Sequence, residues 1–147
     1  MKRSCVILFW AALICLGVYG CRNRDSLNTA IVQGKVVNSG KPVTEAEVSF
    51  VSPAGPKATG YTSTDGTFEL MISTGKSGAM VGPNAVEVVT GLPKIPTDVD
   101  PNFKGFVPLI KSNDPFVKYR FNDPILVQNG TNEIVLDVGQ ATAIKMD

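Results

Sequence analysis

Apolar and polar residues alternate with a period of two from Ile31 onward, and no other feature constrains the fold as strongly. Val32 and Val36 alternate with Gln33 and Lys35, and the same pattern recurs at residues 46–51, 67–72, 86–88 and 134–138. A β-strand that turns one face to a core and the other to water has this period. No window of ten or more residues keeps a helical apolar stripe without a Gly or Pro in it. The sequence therefore predicts an all-β fold of half-buried antiparallel strands.

Turn-forming residues lie between these segments. Asn38-Ser39-Gly40 separates the first two predicted strands, Asp65-Gly66 precedes the strand around Phe68, and Asn129-Gly130 precedes the last strand. Asn-Gly and Asp-Gly supply the positive φ angles that tight hairpins require. Short strands separated by such turns are typical of a β-sandwich. Because the chain has 147 residues, close to the ~150 expected of one domain, we predict a single sandwich domain over residues 31–147.

Several of these segments together resemble the carboxypeptidase regulatory-like domains. That family opens with the patterns G-x-V, G-x-P-V and A-x-V-x-F, followed by a T-x-D-G-x-F turn and a later G-x-Y-x-V-x-V strand. This chain carries similar motifs at residues 32–36, 40–43, 46–50, 62–68 and 82–88, with Ala85 in place of the usual aromatic residue of the last motif. Residues 117–119 and 129–132 are similar to the closing strands of small bacterial lipoproteins that contain the domain.

The resemblance implies both a fold and a class of function. It implies a single seven-stranded, transthyretin-like (prealbumin-like) β-sandwich across residues 31–138. Such domains serve as accessory, folding or adhesion modules or stand alone on bacterial envelopes, and they are not peptidases themselves. The resemblance therefore implies a protein that is not an enzyme and carries no cofactor.

The first twenty residues have the pattern of a secretory signal peptide. Lys2 and Arg3 are followed by an uncharged stretch from Cys5 to Tyr19 and by the small residue Gly20. As a helix this stretch would span about 22 Å, less than the ~30 Å hydrocarbon core of a bilayer. The alternatives are a buried helix and a short membrane anchor. We predict that residues 1–20 are removed on export.

The end of this segment resembles the lipobox of bacterial lipoproteins. An aliphatic residue, Val18, lies three positions before Cys21, and Gly20 directly precedes it. In such lipoproteins signal peptidase II cleaves before the cysteine, whose sulfur receives a diacylglyceryl group and whose amine is then acylated. The resemblance implies cleavage between Gly20 and Cys21, a lipid anchor on Cys21 and a flexible tether to residue 30. Cleavage by the general signal peptidase, leaving Cys21 as a free thiol, is the alternative.

The cysteine distribution is consistent with a lipid anchor. Cys5 and Cys15 lie inside the predicted signal, so the mature chain keeps only Cys21 and forms no internal disulfide. Because Arg22 follows the lipidated cysteine, analogy with enterobacterial sorting favours the outer membrane over the inner one. We therefore predict a lipid-anchored protein of the bacterial cell envelope that faces the periplasm or the cell surface.

Composition excludes several kinds of chemistry. The chain contains no histidine, so Ser-His-Asp and Cys-His nucleophile systems and His-ligated zinc are ruled out. Lys and Arg number 14 against 13 Asp and Glu, and this balance gives no reason to expect nucleic acid as a partner. Asp98, Asp100 and Asn102 have the spacing of calcium ligands but lack the central Gly and the terminal Glu of an EF-hand, so we predict a solvated loop and no metal site.

The segment Gly91–Pro115, named here the excursion, breaks the strand pattern. It is rich in proline and poor in strand-forming residues, and loops of this length in a compact domain are usually functional or mobile. Two roles are open for its aromatic residues: an exposed patch for a partner, or a cover for the open end of the sandwich. The candidate residues for a partner-binding loop are Phe103, Lys104, Phe106 and Lys111.

Two functions of different classes follow. The first is a non-catalytic, lipid-anchored sandwich that binds an envelope protein or polymer or has a structural role. The second is a small-ligand carrier or hydrolase resembling transthyretin-fold enzymes such as hydroxyisourate hydrolase. Members of that enzyme family depend on histidine and on a short C-terminal motif, whereas this chain ends Ala-Ile-Lys-Met-Asp. Proton transfer here would rest on isolated carboxylates or lysines, and the sequence favours the first function.

Overall fold

The computed structural model describes residues 27–93, 96, 104–112 and 114–146. Strands make up 52% of it, and the described part contains no α-helix. The predicted all-β class and the two-sheet sandwich are therefore confirmed. The predicted signal peptide and Cys21 lie outside the described residues. No helix among the residues described is both long and apolar enough to span a membrane.

Twelve strands, several of them very short, are found in the described residues. In chain order they are β1 (Thr29–Asn38), β2 (Lys41–Pro42), β3 (Glu47–Val51), β4 (Ala58–Tyr61), β5 (Thr67–Glu69), β6 (Met71–Ile72), β7 (Ala79–Met80), β8 (Gly82–Thr90), β9 (Val117–Arg120), β10 (Ile125–Val127), β11 (Thr131–Asp137) and β12 (Thr142–Lys145). A short 3₁₀ helix, Val138–Gln140, lies between the last two strands.

The first sheet is narrow and is organised around β1. One edge of β1 pairs with the whole length of β11. The other edge pairs in turn with the short strands β7, β5 and β2. All of these pairs are antiparallel except that of β1 with β11, which is parallel. The expectation of antiparallel strands is therefore wrong at this pair. The two strands are linked by nearly the whole domain, so no hairpin imposes an antiparallel direction on them.

The second sheet is wider, with the strand order β12-β9-β8-β3-β4-β6. Strands β9 and β10 pair in succession with the same edge of β8: β9 pairs with residues 87–90 and β10 with residues 82–84. Residues 121–124 form a bulge there, because these four residues lie opposite only residues 85 and 86 of β8. The bulge lies beside residues 135–137 of β11, so the second sheet extends to β9 and β12 on the side where the first sheet ends at β11.

The core lies between the two sheets and is built from the alternating residues. Val32 and Val36 of β1, Val48 and Phe50 of β3 and Leu136 of β11 are among its fully or almost fully buried side chains. On β1 the polar neighbours Gln33 and Lys35 are exposed, as the period of two predicts, whereas Ser49 between Val48 and Phe50 is buried. Burying an aliphatic or aromatic side chain of this size contributes roughly 1.5–3 kcal/mol, so these residues dominate the stability of the sandwich.

The first predicted hairpin turn is confirmed at atomic detail. Ser39 and Gly40 connect the ends of β1 and β2, and both have positive φ angles, of 50° and 82°. A two-residue hairpin loop with this backbone matches the twist of the flanking strands. β1 itself begins at Thr29, so the last residues assigned to the tether already belong to the sheet, and Leu27 packs against the core.

Candidate functional site

The two ends of the excursion meet at one place on the sandwich. The Oγ1 of Thr90 donates toward the carbonyl oxygens of Pro115 and Val117, at 3.3 and 3.4 Å. Gly91 has a φ of 72°, and a Cβ at this position would lie 2.4 Å from the Pro115 carbonyl oxygen. Only glycine fits this close approach without strain. The last residue of β8 and the first of β9 therefore form a closed base for the excursion.

The excursion leaves the end of the sandwich that lies opposite Leu27. β1 runs from its pairing with Met80 at one end to the hairpin at Asn38 and Lys41 at the other. A shallow groove at the second end brings the hairpin together with Thr90 and Pro115. Ten residues of strand at about 3.3 Å each separate the two ends by about 30 Å.

Apolar side chains of the excursion are exposed. Phe106 is 89% exposed, and Leu109 and Ile110 are 57% and 55% exposed. Lys104 and Lys111 flank them and are also exposed. We name these five residues the excursion patch. Phe106 does not cover the open end of the sandwich, because a covering side chain would be buried.

The excursion patch contains three of the four residues predicted for a partner-binding loop. Lys104, Phe106 and Lys111 belong to it, and Phe103 lies outside the described residues. The sequence prediction missed Leu109 and Ile110. The available signal was the apolar run from Phe106 to Ile110, which does not fit the strand alternation.

An ion-paired cluster holds the two strands that carry the excursion. Glu87 on β8 accepts hydrogen bonds from Arg120 at 2.7 Å and from Lys118 at 3.0 Å, both on β9. The hydrogen bond from Arg120, followed by the hydrogen bond from Lys118, lowers the pKa of the Glu87 carboxyl against the opposing effect of burial. The carboxylate form of Glu87 therefore stabilises the pairing of β8 with β9 next to the excursion.

Replacing Glu87 with glutamine is expected to lower the free energy of unfolding by about 0.5–1 kcal/mol at neutral pH, because both cations are partly exposed and screened. A lowered carboxyl pKa means that this contribution is present above the unfolded pKa of about 4.3 and is lost as the pH falls through the folded value. Thermal unfolding of the unsubstituted protein and Glu87→Gln measures the effect. The difference between them should be present at about pH 6 and absent at about pH 2. If the two proteins differ in stability by the same amount at both pH values, the loss in Glu87→Gln comes from packing and not from the ion pairs.

A second groove lies over the first sheet. It has a volume of about 700 Å³ and is lined by residues of β1, β5 and β11, with Tyr61 at its border. The Tyr61 hydroxyl donates to Glu47 at 3.3 Å, and the charge of that carboxylate raises the pKa of Tyr61. The lining includes Lys35, Glu69 and Glu133, so the groove carries both signs of charge.

Asp65 acts within its turn, as the sequence predicts. Its carboxylate accepts hydrogen bonds from the Ser63 hydroxyl and from the hydroxyl and backbone N–H of Thr67. These hydrogen bonds, led by that of Ser63, lower the pKa of the Asp65 carboxyl. Gly66 follows with a φ of 80°. The carboxylate is thus used to close the turn between β4 and β5.

No group of three or more potential metal ligands occurs among the residues that the structure describes. Asp98, Asp100 and Asn102, whose spacing resembles part of a calcium loop, lie outside those residues.

Comparison of the whole chain with known protein families, curated proteins and solved structures gave no match. The resemblance to carboxypeptidase regulatory-like domains therefore stays a prediction from the sequence motifs.

Proposed function

We propose that this chain is a non-catalytic, lipid-anchored β-sandwich protein of the bacterial cell envelope that binds a protein or polymer partner through the excursion patch. The observation that carries the proposal is the exposure of Phe106, Leu109 and Ile110 on one loop of the domain. Large apolar side chains grouped on a surface are typical of interaction sites. Aromatic anchors of this kind supply much of the binding energy at an interface.

The position of the excursion patch supports binding by an anchored protein. The chain enters the domain at Leu27, about 30 Å from the hairpin beside which the excursion begins. A lipid on Cys21 would therefore hold the domain near Leu27 and leave the excursion patch free for a partner. Lys104 and Lys111 at the margins of the patch suit a partner with acidic groups around an apolar centre.

The proposed fold is the seven-stranded, transthyretin-like sandwich. The pattern of longer strands supports it once β5 is joined to β6 and β9 to β10. Seven principal strands then remain in the described part of the chain: β1 and β11 lie in the first sheet, β3, β4, β8 and β9/β10 lie in the second, and β5/β6 joins the two because β5 pairs with β1 and β6 with β4. The segments β2, β7 and β12 are short additions at the strand ends and sheet edges.

The absence of catalysis is part of the proposal. The chain has no histidine for acid–base chemistry. Within the described part of the chain, the two carboxylates whose pKa is lowered, Asp65 and Glu87, are occupied in a turn and in ion pairs, and neither is held in the protonated form that a general acid needs.

A small-ligand carrier is the second candidate, and the groove of about 700 Å³ on the first sheet favours it. A ligand in this groove would contact Tyr61, Lys35 and Glu133. Protection of these three residues from solvent by a small molecule, with the excursion patch unaffected, would favour the carrier over the partner-binding protein.

The proposal is tested by placing a photo-activated crosslinking residue at position 106 of the full chain in cells. We expect one dominant crosslinked partner, because Phe106 is the most exposed large apolar side chain of the patch. Leu126 on β10 provides a matched control, since it is 61% exposed and lies outside the excursion. Crosslinks are separated on gels and identified by mass spectrometry.

The control decides how the crosslinks are interpreted. A partner captured from position 106 and not from position 126 supports the excursion patch as the interface. The same scattered adducts from both positions, or none from either, would contradict binding through the excursion.

A further inference from the structure

The strand β11 is an unprotected edge of the first sheet. It has seven residues and pairs only with β1 among the residues described. Sheet edges are usually shortened, bulged or protected by proline or lysine, because a free edge pairs with other chains. β11 contains neither residue, and Val135 on it is 72% exposed. The other long strands, β1 and β8, have partners on both sides.

The free edge presents an ordered row of backbone groups. The Ile31 N–H donates to the Gly130 carbonyl, and Ile31 is in register with Thr131. In a parallel pair the bonding direction alternates along each strand, so Asn132, Ile134 and Leu136 direct their backbone groups to β1. Glu133, Val135 and Asp137 therefore direct their N–H and C=O groups away from the sheet. No hydrogen bond from another described residue satisfies the outward groups of Glu133 and Val135, whereas the C=O of Asp137, the N-cap of the following 3₁₀ helix, accepts the first hydrogen bond of that helix.

A groove of about 590 Å³ runs beside this edge. Val135, Leu136 and Asp137 form one wall, and the bulge of the second sheet from Phe121 to Ile125 forms the other side. Phe121 and Ile125 are only partly buried, since the first sheet does not cover them. One added strand along β11 would extend the first sheet over these two side chains.

The charges at the groove are of one sign. Asp123 and Asp137 line it, and its lining contains no Lys or Arg. Glu133 adds a third carboxylate along the outward row of β11. An extended segment that enters the groove therefore gains from basic residues placed opposite these carboxylates.

We infer that β11 and this groove bind an extended, basic segment of another protein, which pairs with β11 as an antiparallel strand. Its residues opposite Asp137 and Glu133 are basic, and the residue between them, opposite Val135, is neutral. Its residues opposite Leu136 and Ile134 are apolar and face Phe121 and Ile125. Read along the segment, the expected pattern is basic, apolar, neutral, apolar, basic.

The width of the second sheet favours a single segment over a second copy of this chain. If two copies of this chain paired through β11, their second sheets would collide, because the second sheet of each copy continues past β11 to β9 and β12. A single extended segment has no second sheet and avoids this collision. This site is separate from the excursion patch, so a failure here leaves the proposed function untouched.

The test is binding of a labelled peptide, acetyl-Gly-Lys-Val-Thr-Val-Lys-Gly-amide, to the detergent-solubilised full chain. N-methylation of the central threonine removes a donor that points at β11, and we expect it to weaken binding at least about tenfold. N-methylation of the first valine makes the same chemical change to an N–H that points away from β11. We expect it to alter the affinity of the peptide by less than about twofold. Equal loss with both peptides, or no binding of the parent peptide, would overturn the inference.

The direction and register of the peptide on β11 are tested by exchanging the charges of Glu133 and the peptide lysine expected opposite it. Glu133→Lys is expected to weaken binding of the parent peptide, and changing the C-terminal lysine of the peptide to glutamate should restore it. Glu133 is exposed and lies on the outer face, so the fold tolerates the change. Rescue by the N-terminal lysine instead would contradict the antiparallel direction. Sedimentation of the chain as a dimer that Val135→Pro dissociates would also overturn the inference, because a second copy would then occupy the edge.

Discussion

Replacing Phe50 with alanine is expected to lower the free energy of unfolding by about 3–5 kcal/mol, through the lost burial and the cavity left behind. Phe50 has no exposed surface and lies in β3, where it is paired on both sides, with Ala58 of β4 and Val86 of β8. Neighbouring strands fixed by two ladders cannot collapse into the space. The loss is a large part of the 5–15 kcal/mol by which a domain is usually stable.

Denaturant unfolding of the two proteins followed by circular dichroism measures this difference. Phe106→Ala is the matched control, since it removes the same atoms from a side chain that is 89% exposed. We expect its stability to stay within about 0.5 kcal/mol of the unsubstituted protein. Similar losses from both substitutions would contradict the assignment of Phe50 to the core and Phe106 to the surface.

Replacing Cys21 with alanine is expected to move the protein from the membrane fraction to the soluble fraction. The proposed anchor is a set of acyl chains on Cys21, each contributing about 0.8 kcal/mol per buried methylene, so that two or more chains hold the protein firmly. With alanine at position 21 there is no sulfur to receive the diacylglyceryl group. Fractionation of cells followed by immunodetection measures the distribution.

Cys15→Ala is the control for this experiment, because Cys15 lies within the predicted signal peptide and its loss leaves Cys21 intact. We expect that variant to remain with membranes after high-salt and carbonate washes. A Cys21→Ala protein that still sediments with membranes after these washes would rule out the lipid anchor as the means of attachment.

The fold class follows from the sequence because burial in a strand is a local property. Val32, Val36, Val48 and Phe50 alternate with polar residues, and each is buried as the alternation requires. The hairpin at Ser39 and Gly40 is also set locally, by residues that accept a positive φ.

The pairing of β1 with β11 does not follow from the sequence in the same way. Ile31 is in register with Thr131, about one hundred residues later, and alternation specifies a face for each strand but no partner. The edge position of β11 depends on the same long-range pairing. A site formed by unpaired backbone groups therefore has no signature in its own residues.

The excursion patch could be predicted in part. The sequence predicts Phe106, Lys104 and Lys111 as partner-binding residues, because they belong to a long segment without strand alternation. Whether Phe106 covers the sandwich or faces solvent depends on the path of the excursion, which no local pattern encodes. Its exposure of 89% decides that question in the structure.

Mass spectrometry of the protein extracted from membranes tests directly whether the sandwich is lipid-anchored. We expect the N-terminal peptide to begin at Cys21 and to carry the mass of a diacylglyceryl group on sulfur and an acyl chain on the amine. A peptide that begins at another residue, or one that begins at Cys21 with an unmodified thiol, would contradict it.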